Sequence, residues 1–503
     1  MSSFPVDASD EALLAAVHPS GWRNPEPAPR YNLAVVGAGT AGLVSAAVAA
    51  GLGARVALVE RDRMGGDCLN TGCVPSKAVI RAGRLAAEAH AAELVALAPP
   101  PGARPDFAAA MRRMRAVRAG IAPHDSAERF RDQLGIDVFL GEARFVSGDA
   151  LEVDGRRLHF RRAVIASGAR PGAPPVPGLA EAGFLTHETV FSLSEPPRRL
   201  AVIGGGPIGC ELAQAFRRLG VEVALFEMGV HVLEREDPGA AEVVERALAR
   251  DGVRLLLSCR IDKVERGAGG KTLHHASAGS SGSLEVDEIL VATGRVPNVA
   301  GLGLEAAGVD FDPRSGVRID DFLRTSNRRI LAVGDCAMAW KFTHAADAAA
   351  KLAVQNALFF GRKRLSKLVM PWCTYTDPEV AHVGLSEREA RERGIAIDTY
   401  SVQLEDNDRA RCDGETEGFA RIHTRQGSDR ILGATIVASH AGEMIPLVTA
   451  AIAGGLGLGR LAGVIFPYPT QAEVVKAAAN LYMRTRLTPL VKSLFERWMR
   501  FLR

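Results

Sequence analysis

Short, wholly apolar runs alternate along this chain with longer stretches in which apolar and polar residues interleave. Leu33 to Val36 and Val56 to Val59 have the length and continuity of strands buried on both faces of a parallel sheet. Between them an Ala-rich stretch ending near Gly53 reads as a helix. A charged, Arg- and Ala-rich segment from about 78 to 134 predicts helices, and Ala163 to Ala166 a further strand. The grammar then repeats. Leu200 to Ile203 reads as a strand, Cys210 to Leu219 as a helix and Val221 to Phe226 as the next strand. Strand-like runs recur at Asp287 to Thr293 and Ile330 to Val333. After about Pro371 strands and helices alternate in a different composition, which predicts a separate domain, and the Pro-rich residues 1–30 predict an arm laid over the body.

Each first strand runs into a glycine turn. Gly37-Ala38-Gly39-Thr40-Ala41-Gly42 and Gly204-Gly205-Gly206-Pro207-Ile208-Gly209 both follow a strand, open a helix and precede an acid about 20 residues on. Such glycines let the backbone approach a pyrophosphate, which the helix N-terminus stabilises with free N–H groups. Glu60 and Glu227 stand where a ribose hydroxyl donates. Glu227 disfavours a 2′-phosphate, because two anions would face each other, so NADH is favoured over NADPH at the second turn.

Cys68 and Cys73 lie in Gly65-Gly66-Asp67-Cys68-Leu69-Asn70-Thr71-Gly72-Cys73-Val74-Pro75-Ser76-Lys77. Thiols five positions apart do not face each other on a regular helix. Bridging needs Cα atoms within about 7 Å, so the segment must be kinked, and Gly72 and Pro75 suit that. A thiolate here could be stabilised by a cation or a helix end and attack a substrate. The competing readings are a zinc half-site or two buried thiols, and no second close cysteine pair exists to complete a zinc site.

At 503 residues the chain needs several domains, and 52 glycines concentrated in strand-to-helix turns point to nucleotide binding rather than disorder. A net charge of +3 gives no argument for nucleic acid, and no apolar stretch reaches the length of a membrane span. Seven cysteines do not make a disulfide framework in a chain this long. With Asp7, Asp10 and Glu11 in place of a basic region, the N-terminus does not read as a secretory signal, and the expected compartment is the cytoplasm.

From about residue 31 the chain resembles the pyridine nucleotide–disulfide oxidoreductases with a C-x4-C redox centre, among them dihydrolipoamide dehydrogenase, glutathione reductase and mercuric reductase. The resemblance implies an α/β fold of two Rossmann-like dinucleotide-binding domains plus a C-terminal α+β dimerisation domain. It places an FAD-binding domain at 31–180 and 299–370, an NAD(P)H-binding domain at 181–298 and the dimerisation domain at 371–480. It also implies a homodimer in which the C-terminal domain completes the partner's active site. Electrons would pass from nicotinamide to flavin to the disulfide, with Cys73 at the flavin and Cys68 exchanging with substrate. Lys77 and Glu211 match the ion pair beside the flavin's reactive nitrogen. Gly334-Asp335 matches the motif at the flavin's ribityl and phosphate region. Ala292-Thr293-Gly294-Arg295-Val296-Pro297-Asn298 matches the turn joining the nucleotide domains. Gly66, Ser167, Gly168 and Arg170 are cofactor-contact candidates, and Ala143 and Thr343 fall where backbone groups touch FAD.

Two departures bear on the acceptor. Disulfide reductases of the family carry His-Pro-x-x-x-Glu, whereas Phe466-Pro467-Tyr468-Pro469-Thr470-Gln471-Ala472-Glu473 puts Tyr468 in the histidine's place, with Glu473 after it. A phenol with an ordinary pKa near 10 is a poor base at neutral pH, and the tyrosine resembles the mercuric reductase branch. That branch delivers metal through a C-terminal cysteine pair, and residues 481–503 contain none. Cys210, Cys259, Cys336, Cys373 and Cys412 are isolated, and read as small buried side chains. The acceptor is therefore expected to be a small molecule, a disulfide or a metal ion, with a dihydrolipoamide dehydrogenase-type reaction as the alternative. His344 and His440 are candidate replacements for the missing base. Leu487, Leu490, Val491, Leu494, Phe495, Trp498, Met499 and Leu502 recur at helical spacing among Lys492, Arg497, Arg500 and Arg503. This predicts a basic amphipathic helix, packed on its own dimer or docking on a membrane surface or partner protein.

Overall fold

A computed structural model describes residues 4, 6–90, 105–267, 269–277 and 280–503; residues 91–104 of the expected helical segment and residues 1–3 and 5 of the arm lie outside it. The apolar runs form strands because their side chains are buried on both faces. Tyr31–Val36, Val56–Glu60, Asp137–Leu140, the distal half of Arg156–Ile165 and Ile330–Ala332 make one parallel sheet. The near half of Arg156–Ile165 turns away to pair antiparallel with Ala150–Val153, and that strand pairs in turn with Ala143–Ser147.

The helix Thr40–Gly51 after the first glycine turn packs against Thr343–Leu358. Both faces of that contact are small: Ala41, Ala46 and Ala49 meet the side of Ala345, Ala346, Ala349 and Ala353, all buried in one core. Small side chains let the helix axes approach closely, which holds the segment around residue 334 over the start of Thr40–Gly51.

The second unit is smaller. Arg199–Ile203, Glu222–Phe226, Arg254–Leu256 and Glu288–Val291 form a four-stranded parallel sheet, with the antiparallel trio Cys259–Gly267, Gly270–Ser277 and Ser280–Val286 beside it. Short strands Ala169–Pro171 and Arg295–Pro297 pair antiparallel and lock the two units together. The last unit is a five-stranded antiparallel sheet from Pro371 to Ala438, covered by Ala441–Ala453 and Glu473–Thr485. The final helix, Pro489–Phe501, buries none of its residues.

The N-terminal arm begins with the helix Ala8–Val17, capped by Asp7. Asp7 and Asp10 reach into the body and pair with Arg115 and Arg118 of Phe107–Ile121 at 2.6 and 2.5 Å. Farther on, the arm runs beside the edge strand Asp137–Leu140. Trp22 Nε1 donates to the Val138 carbonyl at 3.2 Å, and Asn24 bonds both the carbonyl and the amide of Leu140.

Candidate active site

The two cysteines are separated by a broken helix. Gly66–Asn70 forms a single short helix, Thr71 and Gly72 interrupt it, and Cys73–His90 starts again. A Cβ on Gly72 would sit 2.9 Å from the Asp67 carbonyl oxygen, so the break needs glycine. Both cysteines are free thiols within hydrogen-bonding reach of each other. Cys73 Sγ also lies 3.2 Å from Thr343 Oγ1, contributed by a helix start 270 residues away.

The redox segment meets the first glycine turn directly. Gly66 adopts φ +56°, and a Cβ there would stand 2.6 Å from the Gly39 Cα. Gly37, at φ +98°, presses on the Ala166 carbonyl next to Ser167 and Gly168, and Gly42 presses on the Gly37 carbonyl. Gly334 in turn packs against Ala41, where a Cβ would be 3.3 Å from the Ala41 Cβ. The helix Thr40–Gly51 starts at Gly39 with no side chain capping its free N–H groups. Closely packed glycine backbone from the first turn, Gly66 and Gly334 thus surrounds an uncapped helix N-terminus, a cradle of the kind a dinucleotide pyrophosphate fills.

The second turn is built alike. Gly204 has φ +107° against the Ala292 carbonyl, and Gly209 presses on the Gly204 carbonyl. Gly206 opens Pro207–Arg218 without a side-chain cap, and a Cβ on it would meet nothing within 4 Å. Ile208, in the first turn, packs on the unit's core. Residues present at both turns therefore fit bound dinucleotides.

The acids at the strand ends do something the spacing did not reveal. Glu60 accepts from the amides of Ala38 at 2.6 Å and Asp62 at 2.8 Å. Glu227 accepts from Gly205 at 2.6 Å and Gly229 at 2.7 Å. Each carboxylate thus clamps its own glycine turn from below, which leaves lone pairs rather than whole oxygens for a ribose. Burial pushes the Glu60 carboxyl upward, against the two amides that favour its anion.

Lys77, one helical turn past Cys73, donates from Nζ to Glu211 Oε2 at 2.8 Å. The other oxygen of Glu211 accepts from the Tyr375 amide at 2.9 Å, and Lys77 Nζ lies 4.4 Å over the Tyr375 ring. These contacts bring all three units to one point beside Cys73. The electrostatics separate the two thiols. Cys73, which is exposed, is pulled down to about 6, first by the hydrogen bond from Cys68, then by Thr343 and the Lys77 charge. Cys68 moves upward because it is the partner that keeps the proton and is partly buried. The pair therefore loses its first proton from Cys73. A cleft of about 370 Å³ opens on the same thiol, lined by Val74, Lys77, Arg81, Arg113 and Ile121 among others.

Arg295 organises the opposite side. Its guanidinium pairs with Asp67, lies 3.0 Å from His187 Nε2 and 3.0 Å from Asp335, and bonds the Ala169 carbonyl. Asp67, His187 and Glu188 bring potential ligand atoms within 4.8 Å of one another, but the Asp67 carboxylate is already paired with Arg295. Ser167 and Asn298 exchange hydrogen bonds at 2.7 and 3.0 Å, and Arg170 reaches the Asn298 side chain at 3.3 Å. Gly294 adopts φ +128° just before Arg295. Ala143 begins its strand two residues after the Gly141 amide bonds the Glu60 carbonyl. Asp67, His187, Thr343 as a side-chain contact, and Tyr375 were missed from sequence. All act across long separations; Asp67 lies within the cysteine motif, but its partners His187 and Arg295 are far away in sequence.

Tyr468 and Glu473 lie elsewhere, on the last unit. Tyr468 is 73% exposed and donates to Asp408 at 3.2 Å, and Asp408 pushes its phenol upward. Glu473 accepts from the Thr470 amide at 3.2 Å rather than from Tyr468. Ile465 and Val464 are exposed beside it, at 91% and 41%. His344 stacks on Phe342 and bonds the Pro371 carbonyl at 2.6 Å, and His440 precedes the helix Ala441–Ala453 without a side-chain bond to its free amides. Cys210, Cys259 and Cys336 are buried as expected, but Cys373 is only half-buried and Cys412 is exposed, on the short helix Asp408–Asp413 whose one buried residue is Ala410.

The family model described as pyridine nucleotide-disulphide oxidoreductase matches residues 31–350, and that family's dimerisation domain matches residues 370–479. A mercuric reductase of Staphylococcus aureus is 32% identical over 95% of this chain and 89% of its own length. One of Acidithiobacillus ferrooxidans is 37% identical over 95% and 88%. Among solved structures, the HOCl-induced flavoprotein disulfide reductase RclA of Escherichia coli superposes with a TM-score of 0.80 at 28% identity, covering 90% of this chain and all of that one.

Proposed function

Because the chain belongs to the pyridine nucleotide-disulphide oxidoreductases, we propose that it draws electrons from NADH through FAD to Cys68–Cys73 and passes them to a thiol-bound metal ion or small oxidant. The observation that carries this reading is the placement of Cys73 as the preferred thiolate, in contact with Thr343 and beside Lys77–Glu211. FAD supplies two-electron exchange with the nicotinamide and with the cysteine disulfide.

The protein's own residues orient and charge that exchange. The first glycine turn, Gly66, Gly334 and Asp335 hold FAD within 31–180 and 299–370, and the second turn holds NADH within 181–298. Lys77 keeps positive charge beside Cys73 and is itself held by Glu211. When two electrons reach the disulfide, the S–S bond breaks. Cys73 keeps the negative charge, and Cys68 takes the proton and stands ready to exchange with an acceptor. Lys77, Arg81 and Arg113 around the cleft suit an acceptor that carries negative charge.

Tyr468 favours a mercuric-reductase-like acceptor and the relatives named mercuric reductase support the same reading, whereas residues 481–503 hold no cysteine pair to deliver a metal ion. A homodimer, through 371–480, would bring the exposed Tyr468 of one subunit to the thiols of the other. RclA, named a disulfide reductase and also solved as a Cu(II) complex, supports a second reading in which the acceptor is a disulfide. The C-terminal helix is an accessory docking element.

Anaerobic NADH titration followed by rapid mixing with Hg(II) in excess thiol, lipoamide and glutathione disulfide tests both readings. A long-wavelength absorbance band on two-electron reduction, lost in Cys73→Ser, supports the thiolate relay. Reoxidation only by oxygen or quinones would overturn it. Fast lipoamide turnover would assign the second reading.

A further inference from the structure

The final helix carries apolar surface that the fold does not use. Pro489–Phe501 is capped by the Thr488 side chain, starts with proline at its first turn, and buries no residue. The helix before it, Glu473–Thr485, buries Val474, Val475, Ala478 and Ala479. The match to the dimerisation domain also stops at residue 479. At about 100° per residue, Leu490, Leu494, Phe495, Trp498, Met499 and Leu502 fall on one half of the helix. Their exposures run from 53% for Phe495 to 82% for Leu490. Lys492, Arg497, Arg500 and Arg503 fall on the other half.

We propose that this helix docks the enzyme on the surface of an anionic lipid bilayer. The arrangement of charge selects that occupant. Arg497 lies at the border of the stripe next to Leu490, and Lys492 and Arg503 lie at the opposite border next to Met499. From these positions their aliphatic stems run along the apolar boundary while the charged heads reach lipid phosphates. Trp498 and the two phenylalanines, Phe495 and Phe501, suit the interfacial depth. A second copy of the same face fits poorly. Pairing it with itself would bring the flanking cations together, and Glu496 is the one acid in 487–503 to offset them. A 13-residue helix is also marginal alone in water, and an apolar interface under its stripe removes that cost. The proposal does not depend on which acceptor the enzyme reduces.

The test uses the full FAD-loaded chain with vesicles of phosphatidylcholine, alone or mixed with phosphatidylglycerol, at low and high salt. The wild type is expected to sediment with phosphatidylglycerol vesicles at low salt and at least tenfold less with phosphatidylcholine or at high salt. Each cation near such a surface is worth about fivefold in binding, so Arg497→Glu with Arg500→Glu should lose tenfold or more. Leu494→Asp with Trp498→Asp should abolish binding. Turnover of NADH with a soluble acceptor and flavin content should stay at wild-type level in both. Absence of vesicle binding, or equal binding by wild type and variants, overturns the proposal. So does deletion of 487–503 splitting the native oligomer in light scattering, because the stripe would then belong to a second copy.

Discussion

Lys77 and Glu211 meet at 2.8 Å across the seam between the two dinucleotide units, and the Tyr375 amide closes the same carboxylate from the third. Glu211 is 6% exposed and Lys77 36%, so the two ends of the pair are not equivalent. A lysine that loses its partner can hydrate, whereas the carboxylate cannot. Lys77→Met should therefore cost about 3 kcal/mol, the range for breaking a buried pair, and Glu211→Gln about 1 kcal/mol, since glutamine still accepts from Tyr375. Thermal unfolding of the two variants checks the order. A larger loss for Glu211→Gln would refute the asymmetry.

Cys73 has a pH signature. An acidic group drawn below its ordinary value on folding contributes stability above the unfolded thiol value, near 8.5, and loses it as pH falls through the folded one. For Cys73 that lower bound is about 6. Alkylation of the reduced protein should thus rise with a midpoint near pH 6 and a single reactive thiolate per pair. In Thr343→Val the midpoint should move upward, because one hydrogen bond to the thiolate is gone. Alkylation that begins only above pH 8 in the wild type would show that Cys73 is not held as the thiolate.

Asp10 and Arg118 form a pair with side-chain exposures of 0% and 3%, and Arg118 also bonds the Asn70 carbonyl at 2.5 Å within the redox segment. Asp10→Ala leaves that guanidinium buried without its anion and should cost about 3–5 kcal/mol. Pairing it with Arg118→Met should recover much of the loss. The exposed pair Arg260–Asp262, away from the arm, provides the control, where Arg260→Ala should leave stability nearly unchanged. Equal losses in the two single variants would remove the arm from the stability of the redox segment.

Two glycines separate the cofactor sites. Gly66→Ala sets a Cβ 2.6 Å from the Gly39 Cα at φ +56°, and flavin per chain after purification should fall severalfold. Gly206→Ala meets nothing within 4 Å. It should keep flavin and fold but raise the KM for NADH about tenfold by filling the approach to the helix N-terminus. Full flavin content in Gly66→Ala, or an unchanged KM in Gly206→Ala, would count against these assignments.

What could be read from the residues was local. Each glycine turn follows from six consecutive positions and an acid some 20 residues on, because chain geometry over that distance is set by backbone freedom. The broken helix between Cys68 and Cys73 follows from thiol spacing and from Gly72. The contacts that complete the site are of another kind. Thr343 reaches Cys73 across 270 residues, and Arg295 reaches Asp67 across 228. Such meetings depend on how three units close on one another, which no local pattern records. Glu60 and Glu227 show the middle case. Their positions were legible, but their service to the turn amides was not, since any acceptor at that place suits both an amide and a ribose.

The arm along Asp137–Leu140 has a consequence for solubility. A sheet that ends in a bare strand offers its free amides and carbonyls to the next chain it meets. Here the Trp22 indole and the Asn24 carboxamide occupy those groups on Val138 and Leu140, so two side chains do the work of a closing strand. A chain trimmed at the amino end to just before Tyr31–Val36 would keep that central strand and both glycine turns. It would also lose the Asp10–Arg118 pair and present an unprotected seam for edge-to-edge growth, so self-association would limit its yield as soluble protein.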